Sequence, residues 1–338
     1  MKKVAISGER EVSLVDAPEP KAKGDYALVK VHAAPLCTEY KAYVAGQRGE
    51  FLGHEAAGEV VAVDEPGSVS VGDRVVVMPQ YPCGVCSLCR AGDYIYCEHN
   101  QDFEAIHGSR EGTAALAQYL LKPSWLLMPI PEGVGYEHAG LACCAFGPSF
   151  GAFERVRLGA DETVLITGAG PVGLGALVNA QSMGAQAVVV EPFPWRRDKA
   201  VELGAHAVFD PAQDDLVARI RENTVSNGVD VALDCSGTAA GQRTCLEAVR
   251  RCGRVAFIGE CSEELRIRVS PDLIRNGLTV VGSWHYNARL FPGVMRVIQE
   301  SPLVDSLISH VLPLAEIGHA FELCASGKTA KVIMKPWE

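Results

Sequence analysis

The feature that most constrains this 338-residue chain is the stretch Thr163 to Val190, which contains no Asp, Glu, Lys or Arg. An uncharged run of that length could span a bilayer. This one holds five glycines, Pro171, Asn179 and Gln181, so it reads instead as a buried strand, a glycine turn and a packed helix. Its centre, Val164-Leu-Ile-Thr-Gly168-Ala-Gly170-Pro171-Val172-Gly173, is a β-favouring run that feeds G-x-G-x-x-G and then an apolar helix. Gly168 permits the tight turn, Gly170 lets a pyrophosphate approach backbone N–H groups, and Gly173 lets the helix lie close to the strand. The next apolar run, Ala187 to Glu191, ends in an acid where a ribose-binding carboxylate belongs. Gly168, Gly170, Pro171, Val172, Gly173 and Glu191 are therefore the candidate dinucleotide site. A carboxylate at position 191 accepts hydrogen bonds from the adenosine ribose and repels a 2′-phosphate, so NAD(H) is expected over NADP(H). Arg196 and Arg197, close behind, would either bind that phosphate or form a solvated helix start.

Around this turn the pattern alternates. Candidate strands at 164–167, 187–191, 229–234, 254–259 and 278–282 are apolar on both faces, with helix-like segments at 172–183, 198–203 and 239–250 between them. That is a doubly wound parallel α/β sheet. Ser236 and Gly237, with Ile258 and Gly259, fall at strand ends on the cofactor side and are expected to wall the nicotinamide ribose. The first 150 or so residues differ: short β-favouring runs at 27–31, 58–63 and 74–78 are separated by Gly, Pro and Asp. The tail, 286–338, carries two helix-like stretches and a closing strand, 330–334.

Composition limits the function. At 48% hydrophobic and 21% charged the chain is not disordered. Its 31 basic against 41 acidic side chains give a net charge of −10, which argues against nucleic acid or an anionic membrane as the main partner. Met1 to Ser13 shows no secretory signal, so the 12 cysteines are expected to be reduced thiols or metal ligands in a cytoplasmic protein.

Four of those cysteines, Cys83, Cys86, Cys89 and Cys97, form C-x2-C-x2-C-x7-C on a glycine-containing loop, the requirement of a closed structural zinc site. An iron–sulfur cluster also takes four cysteines, but the chain offers it no evident electron partner. A second constellation is dispersed: Cys37, then Gly53-His54-Glu55-Ala-Ala-Gly58, then Cys143-Cys144. Each alone is ordinary. Together they would supply the Cys, His and Glu or Cys ligands of a catalytic zinc with one position left open.

With Gly53 to Gly58, Val71-Gly-Asp-Arg-Val75, the four-cysteine loop, the glycine turn and the tail His310 to Ile333, the chain resembles the zinc-containing medium-chain dehydrogenase/reductase superfamily over essentially its whole length. It is most similar to the sorbitol and threonine dehydrogenase branch. The resemblance implies a GroES-like β-rich catalytic domain (1–150 and 286–338, with the zinc loop 83–97), interrupted by a Rossmann NAD-binding domain (151–285), with the active site in the cleft between them. It implies one catalytic and one structural zinc per chain. Cys37 and His54 match the first two catalytic ligands, Glu55 the glutamate that can coordinate or exchange with water, and the remaining ligand falls on Cys144 or its neighbour Cys143. The family pattern Cys-Gly-Thr/Ser-Asp is here Cys37-Thr38-Glu39-Tyr40. If one residue is missing, Thr38 is the proton-relay hydroxyl; otherwise Glu39 stands in its place. The short interval between Cys37 and His54 implies a trimmed substrate-side loop and a wide mouth. The expected activity is zinc-dependent hydride transfer between NAD(H) and a secondary alcohol or ketone, on a polyol, sugar or cyclitol, in a homodimer or homotetramer. The alternatives are an L-threonine-type amino-alcohol dehydrogenase and a non-catalytic NAD-binding protein that keeps only the structural zinc.

Overall fold

The computed structural model describes all residues, Met1–Glu338, and divides into two compact units. The first comprises Met1–Cys144, Asn287–Gln299 and Ile308–Glu338; the second comprises Ala145–Tyr286 and Glu300–Leu307. The domain boundary expected at 150/151 thus falls at 144/145, and Glu300–Leu307, expected with the tail, belongs to the second unit.

The second unit is a six-stranded sheet in the order Ala207–Phe209, Gln186–Val190, Thr163–Thr167, Val229–Asp234, Val249–Phe257, Thr279–Gly282, with every neighbouring pair parallel. This is the Rossmann order, 3-2-1-4-5-6 by chain position. The central strands are buried on both faces because helices cover both, so Val, Leu and Ile run on without polar alternation. Leu165, Val188, Ala232 and Val255 pack into one core with Ile220 and Leu246 from the covering helices.

Several boundaries differ from the sequence pattern. The helix expected from 198 spans Pro194–Glu202, because Pro194 at its first turn presets the helical φ. The strand expected to end at Glu191 ends at Val190, which leaves that carboxylate just beyond the sheet. The strand expected at 254–259 is Val249–Phe257, so Ile258 and Gly259 lie past its end. The edge strand Ala207–Phe209 is too short to announce itself in sequence.

The first unit carries an antiparallel hairpin, Lys2–Gly8 with Glu11–Asp16, and a seven-stranded sheet ordered Ile308–Pro313, Lys331–Lys335, Tyr26–Pro35, Ala56–Ala62, Arg74–Val77, Leu127–Pro129, with Tyr119–Pro123 pairing on Tyr26–Pro35. This is the GroES-like part. Its core gathers Val29, Val31, Val60, Val75, Leu116, Phe321 and Met334. In the tail a short 3-10 turn, Asp305–Leu307, leads into the strand Ile308–Pro313. No helix is long and apolar enough to cross a membrane.

Candidate active site and metal centres

The four-cysteine loop brings its sulfurs together. Cys86 caps the short helix Ser87–Ala91, Cys89 lies within it, and Cys97 follows the 3-10 turn Tyr94–Tyr96. The Sγ atoms are 3.9 Å apart for Cys83 and Cys89, 3.5 Å for Cys86 and Cys89, 3.9 Å for Cys86 and Cys97, and 3.6 Å for Cys97 and Cys83. A tetrahedron of sulfurs around zinc at about 2.3 Å has edges of about 3.8 Å. The cluster therefore has the size of a zinc site. Backbone N–H groups of Cys83, Cys86 and His99 point at these sulfurs. The N–H groups of Val85 and Cys86 push the Cys83 thiol down to about 6, whereas burial and the neighbouring thiols push Cys89 up to about 12. Four thiolates in van der Waals contact repel one another, and a divalent cation is what makes all four stable together.

The dispersed constellation also converges. Ligand atoms of Cys37, His54, Glu55 and Cys144 all lie within 4.8 Å of one another. Cys37 follows the strand Tyr26–Pro35, His54 and Glu55 lead into the strand Ala56–Ala62, and Cys144 sits in the π-helical turn Ala142–Phe146. The adjacent cysteines are separated by that turn: Cys144 Sγ is 3.3 Å from His54 Nε2, while Cys143 Sγ donates to the Val77 carbonyl at 3.3 Å. Cys144, not Cys143, belongs to the cluster.

Glu39 occupies a place that the sequence did not reveal. Its Oε1 lies 3.0 Å from His54 Nδ1, and its Oε2 accepts from the Cys37 backbone N–H at 2.8 Å. Burial alone would push this carboxyl up; the His54 ring and the backbone N–H of Cys37 more than offset it and hold the group below its usual value. Both oxygens of Glu39 are thus engaged, which sets this carboxylate behind His54. Thr38 stands at the N-cap of the helix Glu39–Val44 without spending its hydroxyl on a cap bond.

Glu55 is fully buried, and its Oε1 accepts from Lys331 Nζ at 2.6 Å. Its Oε2, equally buried, has no hydrogen-bond partner. An orphan carboxylate oxygen beside two sulfurs and an imidazole nitrogen suits a bound cation. Against the cost of burial, Cys37 and Glu39 push His54 up to about 11, and burial, opposed by Lys331, pushes Glu55 up to about 7. The donor set of two thiols, one imidazole and one carboxylate is zinc chemistry. Lys331 was not anticipated; it lies 276 residues from Glu55, and no local motif signals it.

In the second unit the glycine turn has the expected form. Gly168 has φ +86°, and a Cβ on Gly173 would lie 1.8 Å from the Gly168 carbonyl oxygen, so helix and turn touch as only glycine allows. Gly170 caps the helix Pro171–Ser182, and Pro171 and Val172 open it. Glu191 is 2% exposed and anchored, its Oε2 accepting from the Ala169 N–H at 2.6 Å and its Oε1 from the Phe193 N–H at 2.9 Å. Arg197 is committed to the carbonyls of Glu191 and Pro192 and to Asp210. Arg196 lies over the Phe193 ring, with its Nε buried and unpaired. Asp234 organises the other wall: its Oδ1 accepts from Thr167 and from the Ser236 N–H and hydroxyl, and its backbone oxygen accepts from Ile258 and Gly259. Ser236 and Gly237 are thereby gathered at the Asp234 carboxylate, and Ile258 and Gly259 at its backbone oxygen.

Residues 23–132 match the alcohol dehydrogenase GroES-like domain, and residues 171–300 match the zinc-binding dehydrogenase family. The L-threonine 3-dehydrogenase of Pyrococcus furiosus is 33% identical, covering 96% of this chain and 95% of its own length. The chain belongs to the zinc-type medium-chain dehydrogenases. The sorbitol dehydrogenase of Bacillus subtilis is 32% identical over 99% of this chain and 97% of its own, which places the chain in the threonine and sorbitol branch. Among solved structures, the alcohol dehydrogenase TADH from Thermus sp. ATN1 superposes with a TM-score of 0.88 at 28% identity, covering 99% of each chain. This dehydrogenase therefore acts on CH–OH groups of a small molecule with a nicotinamide cofactor.

Proposed function

We propose that this dehydrogenase oxidises a secondary alcohol of a polyol, sugar or cyclitol to the ketone, reversibly and with NAD(H), using one catalytic and one structural zinc. The observation that carries the reading is the convergence of Cys37, His54, Glu55 and Cys144, backed by Glu39 on the far side of His54. A zinc ion held there supplies a Lewis acid that lowers the pKa of a substrate hydroxyl. The remaining work belongs to the chain. Glu39 accepts the Nδ1–H of His54 and so turns Nε2 toward the ligand cluster. Lys331 pairs with one oxygen of Glu55, and the other, buried without a hydrogen-bond partner, would help to hold a cation bound there. The Thr38 hydroxyl would pass the proton leaving the substrate oxygen toward solvent, and a nicotinamide bound at the glycine turn would supply the hydride acceptor.

NAD(H) over NADP(H) is supported by Glu191, whose carboxylate is held at the glycine turn by two backbone N–H groups and cannot swing aside for a 2′-phosphate. Arg197 is tied to Asp210, and only Arg196 could answer such a phosphate. Cytoplasmic residence is supported by twelve cysteines of which none is in a disulfide. A homo-oligomer is supported by the open edge strand Thr279–Gly282, flanked by the exposed apolar side chains Ile267, Val269 and Ile274. The second reading, an amino-alcohol dehydrogenase, is favoured by the Pyrococcus furiosus relative, whose identity is no lower than that of the sorbitol dehydrogenase.

The test is NADH formation by the zinc-loaded protein on linear polyols, cyclitols, sugars and L-threonine, with NAD and NADP in parallel. Turnover of a polyol or cyclitol with NAD supports the first reading and turnover of threonine alone supports the second. If no secondary alcohol reduces either cofactor, the catalytic reading is wrong.

A further inference from the structure

The four-cysteine loop is fastened at both ends, by different means. Its entry is held locally: the Gln101 N–H donates to the Tyr81 carbonyl at 2.7 Å, Gln101 Nε2 to the Pro82 carbonyl at 3.0 Å, and Lys122 Nζ to the Gln80 carbonyl at 2.9 Å. Its far side is held by residues almost two hundred positions away. The helix Ser87–Ala91 stops at Gly92, which has φ +89°, and the carbonyls at its end have no donors within the helix. Three consecutive residues supply them. Asn287 Nδ2 donates to the Ala91 carbonyl at 2.9 Å, the Ala288 N–H to the Gly92 carbonyl at 2.9 Å, and Arg289 Nη2 to the Arg90 carbonyl at 3.1 Å.

Asn287 does more than one of these jobs. Its Nδ2 also reaches Asp93 Oδ1 at 2.9 Å, while its Oδ1 accepts from the Arg289 N–H at 2.9 Å and so caps the 3-10 turn Ala288–Leu290. A Cβ on Gly92 would lie 2.3 Å from that Oδ1, so any other residue at position 92 would have to displace the Asn287 side chain. Asn287 is also the residue at which the chain returns to the first unit after the Rossmann sheet. The clamped stretch, Arg90 to Asp93, lies between Cys89 and Cys97, two of the four sulfurs of the cluster.

We propose that Asn287 couples the zinc of the four-cysteine loop to the order of the segment 287–290, so that the metal ties down the point of re-entry as well as its own loop. The inference rests on the four cysteines being a zinc site. If zinc fixes Cys89 and Cys97, it fixes the carbonyls between them in the arrangement that Asn287, Ala288 and Arg289 recognise. Linkage is reciprocal: the clamp strengthens zinc retention by the same factor by which zinc strengthens the clamp.

The test uses the zinc-loaded full chain and two readouts, zinc release to a chromophoric chelator and hydrogen exchange at the Ala288 and Arg289 amides. Asn287→Ala loses the side-chain bonds to Ala91, Asp93 and Arg289 and is expected to release the loop zinc about tenfold faster, with both amides exchanging faster even at saturating zinc. Asn287→Asp is expected to be worse than alanine, because it sets a carboxylate against the Ala91 carbonyl and Asp93. Gln101→Ala, which frees the other end, is expected to speed zinc release while leaving the Ala288 amide protected at saturating zinc. In the wild type, stripping the loop zinc should deprotect both amides. Wild-type rates in Asn287→Ala, or amides still protected after the zinc is stripped, would overturn the coupling. Zinc content that does not fall in Cys89→Ser would overturn the metal reading of the loop and the coupling with it, an outcome separate from a failure of the clamp alone.

Discussion

Replacing Glu39 by Gln tests how the catalytic cluster is held. The glutamate acts as an acceptor twice, toward His54 Nδ1 at 3.0 Å and the Cys37 N–H at 2.8 Å. Glutamine has one acceptor oxygen and one NH2 group. Whichever way the amide is turned, its NH2 faces an N–H donor, so one of the two bonds must break and the charge that assists the other is lost. Carboxylates behind a ligating histidine typically carry 10- to 100-fold in metal affinity, which corresponds to about 1.4–2.7 kcal/mol. The same loss is expected here, confined to one of the two metals. A competition titration with a fluorescent chelator should show the catalytic zinc of Glu39→Gln weakened 10- to 100-fold, the four-cysteine zinc unchanged, and kcat/KM lowered at saturating zinc. Glu39→Asp, one methylene shorter, cannot reach both donors and should fall between glutamine and wild type. Two zinc ions held as tightly as in the wild type, with kcat/KM intact, would refute the account of Glu39.

Three further outcomes follow from particular contacts. Lys331→Met strips the partner from a fully buried carboxyl that burial already pushes up to about 7, so the group takes up a proton; the loss of stability of the metal-free protein in urea should grow with pH above about 7, by less than about 1.4 kcal/mol per unit, and most of it should be recovered when Glu55→Gln is added, whereas a loss independent of pH would show that Glu55 is not the partner of Lys331. Gly173→Ala puts a Cβ 1.8 Å from the Gly168 carbonyl oxygen, so saturable NADH fluorescence enhancement should vanish while zinc content stays the same. Lys122 is 4% exposed, and burial pushes its amine down to about 7, although the Gln80 carbonyl and the face of Tyr81, 3.8 Å from Nζ, favour the charged form. The folded chain then binds fewer protons than the unfolded chain between pH 7 and the ordinary lysine range near 10, so stability rises with pH across that window, by less than about 1.4 kcal/mol per unit. Lys122→Met should flatten the rise; an identical slope in the variant would contradict the assignment.

How much of this was legible in the sequence depends on how local each cause is. The glycine turn was readable because its glycines answer contacts within a few residues, Gly173 against Gly168, and the four cysteines because their spacing is itself the geometry. The catalytic cluster was readable as residue types but not as an arrangement. Whether Cys143 or Cys144 joins it depends on which side of a π-helical turn each falls, and adjacent positions look alike in sequence. The role of Glu39 was hidden because Cys37-Thr38-Glu39 admits two alignments, and only the reach of its side chain to His54 separates them. Lys331 and Asn287 were invisible for a common reason: each meets its partner across most of the chain, Lys331 at Glu55 and Asn287 at Ala91 and Asp93.

The central claim is that Cys37, His54, Glu55 and Cys144 form a second metal centre distinct from the four-cysteine loop, and zinc per chain tests it most directly. The protein purified without added metal should carry two zinc ions, falling to one in Cys37→Ser and to one in Cys89→Ser. One zinc in the wild type, unchanged by Cys37→Ser, would contradict the account of the active site.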